Sequence, residues 1–200
     1  MESVVARREQ QRTAVRRAVL DAAARLLAEE GAEALSMRRL AEQSGYTVPT
    51  LYHRFGHKLG LIEAVLDEAF APLVRDLERV PRGRDPVRHV ARLVRVFVEF
   101  GLRKPVEYQL LMVPVSGGMP TPASVERARE FLDEALQELA REGRLRGTKP
   151  EHAAQVIWVV THGLISLPTQ RPEIDWSDDL CRQAVEGVLH GLVASRGGGE

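Results

Sequence analysis

The sequence predicts an all-α protein of about nine helices, and three observations carry the prediction. Apolar residues recur at three- and four-residue spacing along most of the chain. Strand-like alternation is absent. Proline and glycine fall where the periodic stretches begin and end. With 200 residues, 44% of them hydrophobic, the chain is long enough to bury a core, as one large domain or a small head on a larger body.

Each element follows from its own signals. Residues 7–30 place Val15, Val19, Ala22, Leu26 and Leu27 on one helical face, and Gly31 offers a stop. Ser36 caps a short helix, 37–44, that Gly45 ends. Thr47 caps a second, 48–55, broken by Gly56. A long helix, 58–79, turns Leu61, Ile62, Val65, Leu66, Ala69, Phe70 and Leu73 inward, and Pro72 is expected to kink or interrupt it. Asp85-Pro86 reads as a cap with a first-turn proline and opens a helix to residue 101. Lys104-Pro105 opens a short one to 113, and "PVSGGMPTP" is a loop. Thr121-Pro122 opens a helix to 142, stopped by Gly143. Lys149-Pro150 opens another that ends before Pro168. Ser177 caps the last, which ends near Ser195. The division expected is a head, 1–57, a body, 58–195, and a disordered tail, 196–200.

The formal net charge is zero, so composition does not announce a polyanionic partner, and distribution matters more. Arg7, Arg8, Arg12, Arg16 and Arg17 cluster near the start against Glu9 alone. Lysine is confined to Lys58, Lys104 and Lys149, a skew that reports genome composition rather than a phosphate surface. The one cysteine, Cys181, excludes a disulfide within the chain and points to a reducing compartment. No signal-peptide core and no run of about 18–20 apolar residues is present, so a cytoplasmic location without a membrane span is expected.

The two short helices joined through Gly45 form a helix-turn-helix, "MRRLAEQSGYTVPTLYHRF". Leu40, Ala41, Leu51 and Phe55 close its core, leaving Val48, Pro49, Thr50, Tyr52, His53 and Arg54 around the exposed side of the second helix. Pro49 sits in the first turn, where a missing N–H costs nothing. A helix of this size fits the DNA major groove with its N-terminal residues toward base edges. Thr50 suits a base edge or a thymine methyl, whereas Val48 and Pro49 offer apolar contact only, which leaves specificity to Thr50, His53 and DNA shape. Tyr52 and His53 suit phosphates. Lys58 adds an ammonium to the positive N-terminal end of the next helix. Thr47 and the arginine cluster also lie within reach of a backbone.

Over about residues 12–66 the chain resembles the tetracycline-repressor (TetR) family of bacterial transcription regulators. The residues that carry it are "LLAEEGAEALSMRRLAEQSG" followed by "PTLYHRFGHKLGLIEAV". The resemblance implies DNA contacts by Thr47, Val48, Pro49, Thr50, Tyr52, His53 and Lys58, to which Arg38 is added. In the body, "FGLRKPVEYQLLM" and "AQVIWVVTHGLISL" look like the subgroup that bears a Trp-xxx-His-Gly signature. Trp158 and His162 lie four apart on one helix face, and Gly163 lets another helix approach. They read either as a pocket wall or as core or dimer-interface residues.

The expected function is a DNA-binding regulator: a homodimeric repressor released from a double-stranded operator by a small, mostly hydrophobic effector. Candidate ligand contacts are Phe97, Phe100, Tyr108, Met112, Phe131, Trp158 and His162, a set equally readable as plain core. Leu180, Ala184, Val188 and Gly191, on a wide apolar stripe, are the candidate dimer contacts. An adaptor that binds protein, or an activator without an effector, is the alternative. Six histidines show no metal-ligand spacing, and neither a phosphate loop nor a nucleophile elbow occurs, so neither cofactor nor catalysis is expected.

Overall fold

The computed structural model describes residues 4–113 and 121–194, with side chains from Thr13 onward. The side chains of Arg7, Arg8 and Arg12, residues 114–120 of the expected loop and the tail at 196–200 lie outside the described residues. Within them the chain forms nine helices: α1 (Val4–Ala34), α2 (Met37–Ser44), α3 (Val48–Phe55), α4 (Lys58–Glu78), α5 (Pro86–Arg103), α6 (Pro105–Leu110), α7 (Ala123–Arg141), α8 (Pro150–Gln170) and α9 (Leu180–Leu192). β pairing is limited, among the described residues, to an isolated bridge between Leu145 and Val193.

Most boundaries obey the local chemistry. The backbone of α1 leaves helical geometry at Gly31 (φ 81°, ψ 174°), where the stop is expected. Ser36 accepts the Arg39 N–H at 3.1 Å and starts α2. Asp85 accepts the Val87 N–H at 3.0 Å and starts α5, with Pro86 in the first turn. Three expectations need correction. Pro72 does not interrupt α4, because Phe70, Leu73 and Leu77 are all buried and their burial outweighs one lost backbone hydrogen bond. Pro168 does not end α8, which continues to Gln170; Leu164 and Ile165 are buried just before it, and Thr169 donates its hydroxyl to the Ile165 carbonyl at 2.7 Å. Ser177 caps a turn instead of a helix, accepting the Asp179 N–H, and α9 begins at Leu180.

The chain packs as two compact units, Met1–Ala71 with Val106–Val125, and Pro72–Pro105 with Glu126–Glu200. In the first, α2 packs on α1 and α3 on α2, around Val19, Leu26, Leu40, Leu51, Leu61 and Val65. The Asp67 carboxylate accepts both the N–H and the hydroxyl of Ser124, at 2.9 and 2.8 Å. In the second, α5, α8 and α9 pack pairwise over Val90, Val98, Ile157, Ile165 and Leu189. No helix among the described residues is long and apolar enough to cross a membrane.

Candidate nucleic-acid interface

The turn between α2 and α3 is fixed by backbone conformation. Gly45 takes φ 73°, the left-handed region that side chains resist, and its N–H closes on the Ala41 carbonyl. Thr47 then starts α3: its Oγ1 accepts the Thr50 N–H at 3.4 Å and lies 2.8 Å from the Thr50 hydroxyl. The two threonines share one hydrogen, so together they present further acceptor and donor capacity at the first turn. Leu51 is fully buried and anchors α3, while Pro49, Tyr52, His53 and Arg54 face solvent; Tyr52 is 51% exposed despite its size. Val48, Thr50 and Lys58 are half-buried. Thr47 through His53 and Lys58 therefore lie on one helix and the start of the next, as the sequence indicates. Arg38 is exposed on α2, where Glu42 sits 3.3 Å away.

Two further residues hold this surface in place, and the sequence reading passed over both. His57 Nδ1 accepts the Gly60 N–H at 3.0 Å, so the imidazole caps α4 and leaves Lys58 at its first residue. A Cβ on Gly60 would lie 2.4 Å from the Phe55 carbonyl oxygen, so only glycine allows the end of α3 to press on α4. Histidine three residues before a glycine at a helix start is the available signal, and it is a faint one. Arg54, exposed in the last turn of α3, adds a cation outside the expected DNA-contacting set. Arg16 lies 3.9 Å from Glu68, and Arg17 is exposed.

The candidate ligand contacts divide between the units. Tyr108, buried, and Met112, exposed, belong to the first; Phe97, Phe100, Phe131, Trp158 and His162 belong to the second. Within the second, His162 stands between Phe97 and Trp158, with ring centroids 5.8 and 5.2 Å away, and burial holds its pKa below the ordinary imidazole value. Phe100 is buried. Phe131 lies under the Arg127 guanidinium, 4.3 Å from the ring centroid. Trp158 is 60% exposed and Val159 70%, an open apolar face on α8. Among the described residues no helix presses on Gly163, since a Cβ there would meet nothing within 4 Å. Gly101 has that role instead: a Cβ on it would lie 2.6 Å from Ile165 Cδ1, so α5 and α8 meet there. On α9, Ala184 and Val188 are half-buried and Gly191 exposed, with Leu180 half-buried at the start. No group of three or more potential metal ligands occurs among the described residues.

Residues 19–65 match the model for bacterial regulatory proteins of the tetR family, and residues 90–192, more than half of the chain, match a tetracyclin repressor-like C-terminal domain. The chain belongs to the TetR family. The helix-turn-helix is thus the DNA-binding element of a TetR transcription regulator. A curated TetR-type relative, the HTH-type nicotine-responsive transcriptional repressor HdnoR of Paenarthrobacter nicotinovorans, is 32% identical over 79 residues, 40% of this chain. The chain spans about two-fifths (41%) of the length of that relative. Among solved structures, a TetR regulator from Marinobacter aquaeolei VT8 shares the fold with a TM-score of 0.76 at 19% identity, over 94% of this chain and all of the other. NalD, the secondary repressor of the MexAB-OprM multidrug efflux pump in Pseudomonas aeruginosa, does so with a TM-score of 0.69 at 22% identity, over 92% and 98%. The C-terminal match is to a tetracyclin repressor-like C-terminal domain and does not single out the Trp-xxx-His-Gly subgroup that residues 100–112 and 154–167 resemble.

Proposed function

We propose that this TetR regulator is a homodimeric repressor, with residues 1–57 as the DNA-reading head, released from its operator by a small, mostly hydrophobic ligand. The observation that carries the dimer is the α8 surface: Val156, Trp158, Val159 and Leu167 are exposed large apolar side chains on one helix. The small residues Gly187 and Gly191 on α9 have open space above them, which suits close approach of another helix. Paired copies double the base contacts and set two α3 helices about 34 Å apart, one DNA turn. Release by a ligand is supported by the aromatic set around His162 and by the curated relative, which is a nicotine-responsive repressor. A ligand acts here only by binding the DNA-free conformation better than the DNA-bound one. A DNA target places the protein in the cytoplasm.

The test is footprinting upstream of the protein's own gene, repeated over a salt series and with a lipophilic compound library. A protected palindrome is expected, its affinity falling by about one log unit per log unit of salt for each phosphate contacted. At least one compound should release it. Salt-independent affinity, or a protected site that no compound disturbs, would count against the surface or the release respectively.

A further inference from the structure

We propose a second ligand site, in the body between α5 and α9, that takes an organic acid: a carboxylate head on a small apolar tail. A cavity of about 570 Å³ opens there, a size suited to a small molecule. None of the candidate aromatic contacts lines it. Its walls carry five arginines, Arg88, Arg92, Arg95, Arg144 and Arg182, and His190, against two carboxylates, Asp85 and Glu186.

The protein's own acids neutralise only part of that charge. Arg182 is held by Asp179 at 2.8 Å and Glu186 at 3.2 Å, and Arg88 lies 3.6 Å from Asp85. Arg144 has two carboxylates, Asp85 and Glu142, each 3.6 Å from Nη1, beyond good hydrogen-bond reach. Its side chain is only 14% exposed, and its Nε and Nη1 are buried and meet no hydrogen-bond acceptor. Arg92 is anchored by neutral groups: Nη2 donates to the Pro81 and Arg82 carbonyls at 2.8 and 3.1 Å, and its Nε is also buried without an acceptor. Neither Arg92 nor Arg95 forms an ion pair among the described residues.

Arg95 lines the cavity, is exposed and forms no ion pair among the described residues, and a bound carboxylate is the acceptor that matches a guanidinium's fork geometry. The remaining lining is apolar, with Val87, Ala91, Val185, Leu189 and Val193, so a hydrocarbon tail beside the head is accommodated and a bare inorganic anion leaves this surface unused.

Calorimetry and thermal melting on the full chain without DNA test the site, so the result is independent of operator binding and of the repressor reading. At constant ionic strength hexanoate should bind saturably and raise Tm, hexanamide should not, and inorganic phosphate should bind at least about tenfold more weakly. Arg95→Gln, at an exposed position that folding tolerates, should weaken hexanoate by about tenfold. Equal binding of hexanamide or of phosphate overturns the assignment of an acid with an apolar tail. No saturable binding of hexanoate, or affinity unchanged in Arg95→Gln, overturns the site.

Discussion

At Gly60 a single missing methyl group sets the orientation of the DNA-reading helix. The Phe55 carbonyl oxygen would lie 2.4 Å from an added Cβ, and that oxygen and the Gly60 Cα that would carry the Cβ both belong to backbone fixed at the end of α3 and the start of α4. Gly60→Ala should therefore cost about 1–3 kcal/mol of stability and tilt α3 enough to lower operator affinity by about tenfold. Melting and gel shift together check this; a variant with normal affinity argues that α3 is held elsewhere. The threonine pair and Lys58 divide the work differently. Lys58→Ala should weaken all DNA sequences alike and lower the salt slope by about one unit. Thr50→Ala removes the hydroxyl that lies 2.8 Å from Thr47 Oγ1, so it should relax preference at one or two base pairs. A binding-site selection assay separates the two, and a sequence-specific loss in Lys58→Ala contradicts the assignment.

At the scale of elements, α5 buries His89 and α8 holds His162 half-buried, and each has its pKa lowered. Burial is the main cause of the lowered pKa of His89, with the nearby Arg92 and Arg82 charges adding to it and a backbone hydrogen bond at Pro81 opposing. Burial alone lowers that of His162. The native protein thus binds fewer protons than the unfolded chain just below the ordinary imidazole pKa of about 6.5. Stability should rise with pH through that region and fall on acidification, until the pH drops below the native pKa values. Melting from about pH 7.5 down to 5.5 should show the fall, and His162→Asn, which does not titrate, should show a smaller one. An unchanged pH slope in that variant means His162 does not contribute.

At the scale of the molecule, α8 has more apolar surface than a monomer needs. Val159→Arg, at a residue 70% exposed in the single chain, should leave the fold intact yet break the proposed dimer. Sedimentation should show monomers, and operator affinity should fall by roughly a hundredfold because paired half-site binding is lost. A Val159→Arg dimer of normal strength moves the interface off this face. The same surface shows why part of the site was legible in the sequence and part was not. Met37–Ser44 and Val48–Phe55 follow from Ser36, Gly45, Thr47 and Pro49, because caps and turns are local chemistry. Trp158 and Phe97 are apolar residues at helical spacing, and spacing alone does not tell a pocket wall from an open face.

The order of the helices and the caps of α2, α3 and α5 are consequences of neighbours along the chain, so the amino-acid sequence alone determined them. Whether α4 and α8 run through their prolines, which glycine admits a neighbour, and which arginines lack a counter-ion depend on residues far apart in sequence. Gly101 meets Ile165, and Arg144 meets Asp85, only once the chain has folded. Burial and charge pairing are sums over spatial neighbours, and tertiary packing alone sets who those neighbours are.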